Sequence, residues 1–175
     1  MTEKLEDFED VSLYEIDGER RESLLEGGGE AAVVWSTSDG WPVGVMHIYF
    51  WREGSFWVTC TEERKRVPAL RERPQSSVIV AFEDEQTVTA KTLATVHGPG
   101  SEHEGWFFTA LAERVLVGQP EAVRREGVPG FVRRLVSESR VIIQLEPVKW
   151  ISFDGRRVKA HSAGLWKPGE PWVEE

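Results

Sequence analysis
Hydroxyls at the end of a strand, followed at once by arginine and lysine, give this chain its clearest local chemistry. Phe56-Trp57-Val58-Thr59-Cys60-Thr61 has strand composition. Glu62-Glu63-Arg64-Lys65-Arg66 turns away from it, and Val67 to Arg73 is expected to form a short helix. A guanidinium forks a phosphate bidentately, an ammonium adds a point charge, and Thr hydroxyls supply neutral donors. Together they describe a small anion pocket. The chain carries a formal charge of -9 and a pI of about 5.1, so a basic cluster stands out against its background. The plain alternative is a solvated helix start with surface arginines, since clustered charge marks a site only statistically.

The totals narrow the function classes. A length of 175 residues fits one domain, and 40% apolar residues suffice for a packed core. The acidic balance argues against nucleic acid and anionic membrane as partners, because both demand a basic face. A single cysteine, Cys60, allows no internal disulfide and no CxxC metal site, which fits a reducing cytoplasm. Met1 to Asp10 is acidic and has no apolar run, so neither a signal peptide nor a membrane anchor is expected there. No stretch approaches the ~18 apolar residues of a spanning helix. Eight tryptophans are expected mostly to fill a core or a subunit interface, with stacking on a flat ligand as the other use.

Strands and turns must position the basic run. Asp17 to Glu26 reads as a helix stopped by Gly27-Gly28-Gly29. Strands are expected over Ala31–Thr37, Val43–Trp51 and Ser55–Thr61, with Ser38-Asp39-Gly40 and Arg52-Glu53-Gly54 as tight turns. Two more follow at Ser76–Glu83 and Thr87–Val96. After a polar loop through Gly105, Trp106–Val117 shows helical spacing. Glu121–Ser137 shows it again, with an interruption expected at Gly127-Val128-Pro129-Gly130. Arg140–Leu145 and Val148–Phe153 read as two final strands separated by a bend at Pro147, and the tail from Arg156 as polar, either docking on a partner or wandering. This order suggests a barrel or sandwich, not a doubly wound parallel sheet, and no GxGxxG or P-loop follows any strand.

The segment from Ala31 to Val96 resembles the split-barrel flavin-binding fold of the pyridoxamine 5′-phosphate oxidase-like proteins, a superfamily that includes deazaflavin-dependent reductases. The resemblance rests on Trp35 to Pro42, Phe56 to Thr59, Arg64-Lys65, Ala69-Leu70, Arg73-Pro74 and Ser77 to Val80 in that order. Arg140 to Pro147, Trp150 and Asp154 extend it. It covers most of residues 30–154.

The resemblance implies a mainly β, antiparallel, Greek-key-like split barrel of α+β class. Its expected units are an arm and short helix over 1–29, a flavin-binding domain over 30–155 with a helical insertion at 104–138, and a tail over 156–175. It implies a homodimer with two sites at its interface. Arg64 and Lys65 would grip a flavin phosphate, Thr59 and Thr61 would add donors, and Cys60 would lie beside them. Val45, Met46, His47 and Ile48 would run along the ribityl chain and ring. The cofactor implied is FMN, with a deazaflavin coenzyme as the alternative and haem, held by a histidine in some relatives, behind both. The activity implied is an oxidoreductase acting on a small organic molecule; the alternative is a non-catalytic flavin or haem carrier.

Three departures are visible. Glu63 stands where the oxidases have Ser, Thr92 replaces a usual glycine, and the C-terminal substrate motif is not evident, so a vitamin B6 oxidase is not expected. His47 reads as a strand histidine facing either a ring system or the core. His97 and His103 have poor metal spacing on their loop. His161 lies in the tail.

Overall fold
The computed structural model describes residues 10–172. Six antiparallel strands close a barrel in the order β1-β2-β3-β6-β5-β4, as the antiparallel split-barrel expectation requires. The strands are β1 (Gly29–Ser36), β2 (Pro42–Arg52), β3 (Ser55–Thr61), β4 (Gln75–Ala81), β5 (Gln86–His97) and β6 (Arg140–Asp154). Helices α1 (Gly18–Glu26), α2 (Arg66–Glu72), α3 (Glu104–Val115), α4 (Glu121–Leu135) and α5 (Gly155–Ser162) complete it. The acidic residues 1–9 lie outside the described part. No described helix is long and apolar enough to cross a membrane.

Period-two alternation builds the interior. Ala31, Val33 and Trp35 of β1, Tyr49 of β2, Phe56 and Val58 of β3, and Val141, Ile143 and Leu145 of β6 point into one core. Helix α2 lays Val67, Ala69 and Leu70 into the same core. The opposite face of β3 is buried as well. Trp57 packs with Phe107, Phe108 and Leu111 of α3 and with Leu135 at the end of α4. A strand covered on both faces reads as a continuous apolar run, as Phe56-Trp57-Val58 does.

Local signals set the joints. Glu53 (φ 53°) and Gly54 (φ 71°) both take positive φ, so a two-residue mirror-image turn joins β2 to β3. Asp17 caps α1 by accepting from the Arg20 amide at 2.8 Å. Gly155 is demanded by a close approach: a Cβ there would stand 2.9 Å from Glu85 Cβ and 3.0 Å from its carbonyl oxygen.

Three expectations are corrected. Pro129 does not interrupt α4, which runs unbroken, because Phe131, Val132 and Leu135 pack it onto the Trp57 cluster. Tertiary burial there outweighs a lost backbone donor. The last two strands are one. Lys91 pairs with Lys149 and Thr92 with Pro147, so Val148 is the extra residue of a bulge, where a proline is tolerated. Within the described residues the tail does not wander: it forms α5 and packs on its own chain. Asp154 caps it, and His161 and Trp166 are buried.

Candidate functional site
The barrel is least zipped between β2 and β3. Their pairing covers only Phe50↔Trp57, Trp51↔Phe56 and Arg52↔Ser55. From there β2 continues along β1 to Pro42↔Ser36, while β3 continues along β6 to Thr61↔Arg140. The basic turn follows at the far end of β3. The Arg64 amide donates to the Thr61 carbonyl at 3.1 Å, which closes the turn and presents Arg64 and Lys65 to solvent.

Four cations gather here outside any direct ion pair. Arg64, Lys65, Arg66 and Arg140 form no ion pair among the described residues. Burial pushes the Cys60 thiol up, while Arg66, Arg140 and Arg64 pull against it. Arg66 turns inward, its guanidinium carbon 5.8 Å from the Trp35 ring centre. Burial lowers His47 to about 4, helped by the Arg66 charge and opposed by the Thr59 backbone. The imidazole is therefore neutral at neutral pH, and its Nε2 is buried without a hydrogen-bond partner.

The expected site residues divide by face. His47 and Val45 lie on the inward side of β2, whereas Met46 and Ile48 lie on the outer side. The four residues do not share one surface. Ile48 is covered by the α3–α4 cluster, and Met46 is exposed. Cys60 is buried in the barrel. Thr59 and Thr61 lie on the outer side of β3. Thr59 Oγ1 donates to the Val141 carbonyl at 2.6 Å, while no described residue bonds the Thr61 hydroxyl. Thr61, Arg64 and Lys65 are thus brought together at the surface, with Arg140 beside them through its pairing with Thr61. Arg140 escaped sequence reasoning because only the β3–β6 register delivers it.

Neighbouring charges are already answered. Arg71 grips both Glu62 oxygens, one at 3.0 Å, which holds the Glu62 carboxyl below its ordinary range and removes that anion from the cationic turn. Arg73 pairs with Glu72 at 2.6 Å. Glu63 is exposed and joins no ion pair among the described residues. Thr92 points inward, 2 % exposed, and shares a 2.7 Å hydrogen bond with Ser76, so it does not intrude on the outer face. Lys91 is exposed on that outer face.

Other histidines are placed elsewhere. His97 and His103 meet edge to face at 4.5 Å beside Trp57, and His97 Nε2 lies 3.2 Å from Gln144 Oε1. No three His, Cys, Asp or Glu side chains among the described residues group as a metal site. His161 Nδ1 bonds the Tyr14 hydroxyl at 2.8 Å in a buried clamp between α5 and residues 11–14.

The chain matches no family model and no curated protein sequence. Its architecture matches solved structures. A conserved hypothetical protein from Mycobacterium tuberculosis is 14% identical over 93% of each chain, with a TM-score of 0.68. An F420 reductase is 20% identical over 74% of this chain and 94% of its own, with a TM-score of 0.55. A pyridoxamine 5′-phosphate oxidase-related, FMN-binding protein from Nostoc punctiforme is 12% identical over 79% and 80%, with a TM-score of 0.54. The fold of this chain is the split barrel of the pyridoxamine 5′-phosphate oxidase-like proteins.

Proposed function
We propose that this protein binds a flavin-type cofactor by its phosphate and acts as an oxidoreductase on a small organic molecule. The observation that carries the reading is the group of four cations outside any ion pair, Arg64, Lys65, Arg66 and Arg140, on a chain of net charge -9. Arg64 and Lys65, exposed beside the Thr61 hydroxyl, would hold the phosphate. Arg140 and Arg66 would add field from behind. Met46 and Thr59, on the outer faces of β2 and β3, would flank the ring system. When bound, the flavin itself carries the redox chemistry; the protein supplies grip, orientation and a dry wall.

FMN is the better fit. A deazaflavin coenzyme with a long acidic tail asks for a broad basic groove. Arg71 and Arg73 are taken up by Glu62 and Glu72, and Arg66 faces inward, so the free basic surface is compact. The second reading stays with the deazaflavin coenzyme because an F420 reductase shares the fold and Lys65 lines a cleft that runs along α2.

A second copy of the chain would complete the site. Registers align Met46, Ala32, Ile79, Thr89 and Ile151 in one row across five strands. Met46, Ile79 and Ile151 in it are 57%, 41% and 53% exposed. Met46 belongs both to this apolar row and to the rim of the site.

The test is an absorption spectrum of the purified protein with mass spectrometry of what denaturation releases. Flavin bands with FMN released are expected. A deazaflavin mass would select the second reading, and a Soret band would select a haem carrier. A protein that stays colourless with added FMN or deazaflavin overturns the proposal.

A further inference from the structure
A cleft of about 590 Å³ lies between the β1–β2 connection and α2. Trp35, Val43, Pro68 and Ala69 give it apolar walls, and Ser38, Lys65 and Arg73 bring donors to it. Its lining carboxylate, Glu72, is held by Arg73 at 2.6 Å. The Lys65 ammonium makes no direct ion pair among the described residues; its charge reaches the exposed Asp39 carboxylate of the β1–β2 turn only at longer range. Trp35 is 6% exposed, and its indole N–H is buried with no acceptor; Arg73 Nε is likewise unmet. Such donors are costly to leave unanswered, and two of them belong to side chains of this one cleft.

The lining selects its guest. The volume suits a small molecule. A purely apolar guest would cover Trp35 and Pro68 but leave Lys65 solvated at the rim. An inorganic anion would answer Lys65 but leave the apolar wall wet. A ring-sized apolar body ending in a carboxylate answers both, by burial on one side and a charge-assisted hydrogen bond on the other.

We propose that this cleft binds a small organic carboxylate, its carboxylate at Lys65 and its apolar body against Trp35, Val43 and Pro68. Binding itself requires no flavin. A flavin phosphate held at Lys65 would compete with the guest's carboxylate for that one ammonium.

The experiment follows the indole N–H signals of the full chain by NMR, with that of Trp35 assigned through Trp35→Phe. Benzoate is the probe and benzyl alcohol its uncharged counterpart. Benzoate is expected to shift the Trp35 signal saturably, and benzyl alcohol to bind about tenfold or more weakly. Ser38→Glu, in the exposed turn at the rim, is expected to weaken benzoate about tenfold by like-charge repulsion. Val43→Glu tests the same repulsion from the β2 side. No saturable shift, equal binding of the alcohol, or benzoate binding untouched by both variants overturns the proposal. Benzoate binding lost in Arg64→Ala alone also overturns it, since that places the anion at the basic turn. Retained benzoate binding in a protein that takes up no flavin supports the cleft and removes only the cofactor reading.

Discussion

Asp154 and Arg66 are both charged groups drawn into the protein, and their surroundings treat them in opposite ways. Asp154 is 1% exposed. It accepts from Gln86 Nε2 at 3.0 Å, from the Arg156 amide at 3.0 Å and from its guanidinium at 3.0 and 3.2 Å. Burial pushes its carboxyl up, yet Arg156 and Gln86 more than offset that and hold it below the ordinary carboxylate range. Arg66, at the loosely paired end of the barrel, lies near Trp35, Cys60 and His47 and has no carboxylate among the described residues. A buried polar group that finds all its partners within the chain is structural; one left unmet is set aside for a ligand or is a liability. The closed cluster ties α5 to β5 and β6. The open cluster faces the proposed site.

The sharpest way to break this contrast is to delete each charge. Asp154→Ala is expected to cost about 3 kcal/mol, because it removes a buried ion pair with Arg156 and the hydrogen bond from Gln86. Arg66→Met is expected to leave stability unchanged or raise it, since it removes a half-buried charge that nothing compensates. Chemical unfolding of both variants measures this. If Arg66→Met proved as damaging as Asp154→Ala, the open cluster would be structural after all.

Next in size is binding. Arg64→Ala with Lys65→Ala removes two charge-assisted contacts and is expected to weaken FMN about a hundredfold or more. Both side chains are exposed, so stability should stay within about 0.5 kcal/mol of the parent. FMN titration followed by fluorescence quenching, beside a thermal melt, separates the two effects. Unchanged affinity removes these residues from the site.

The basic turn could be read directly because its residues are consecutive. So could the hairpin turns, since Asp39-Gly40 and Glu53-Gly54 need only local conformational freedom. Arg140 could not be read, because the pairing of Thr61 with Arg140 is a long-range register. Nor could the opposite facing of Met46 and His47 be turned into a site. Alternation is local, but which face is covered depends on where α3 and α4 return. Pro129 and Pro147 misled for a shared reason. Proline carries a local penalty that packing in one case and a bulge in the other absorb.

Acid should dismantle the two clusters in sequence. His47 has its folded pKa lowered from 6.5 to about 4, so folding favours the neutral ring. That contribution is fully present above pH 6.5 and is lost as pH falls through about 4. Asp154 has its folded pKa lowered from 3.8, so its contribution is intact above that value and is lost only below it. His47→Gln is expected to flatten the stability curve between pH 6.5 and 4, and Asp154→Asn the part below 3.8. Unfolding midpoints across pH measure both slopes. A curve unchanged by His47→Gln would mean that the imidazole is already solvated at the split.

The smallest expected effect is a coupling. Tyr14 and His161, joined at 2.8 Å in a buried setting, form a second closed polar contact, between residues 11–14 and α5. Tyr14→Phe is expected to cost about 1 kcal/mol. Combined with His161→Leu, the two losses should fall short of additivity by about 1 kcal/mol, because the second substitution removes a partner already lost. At the open end, Arg66 and Trp35 stand 5.8 Å apart, near the outer limit for a cation over a ring. Arg66→Met with Trp35→Phe should therefore add to within about 0.5 kcal/mol. A large coupling there and none at Tyr14–His161 would reverse the assignment, making the split end a self-sufficient structural network. Small coupling at the split and clear coupling at the clamp is what a protein shows when one polar cluster exists to hold the chain and the other to hold something else.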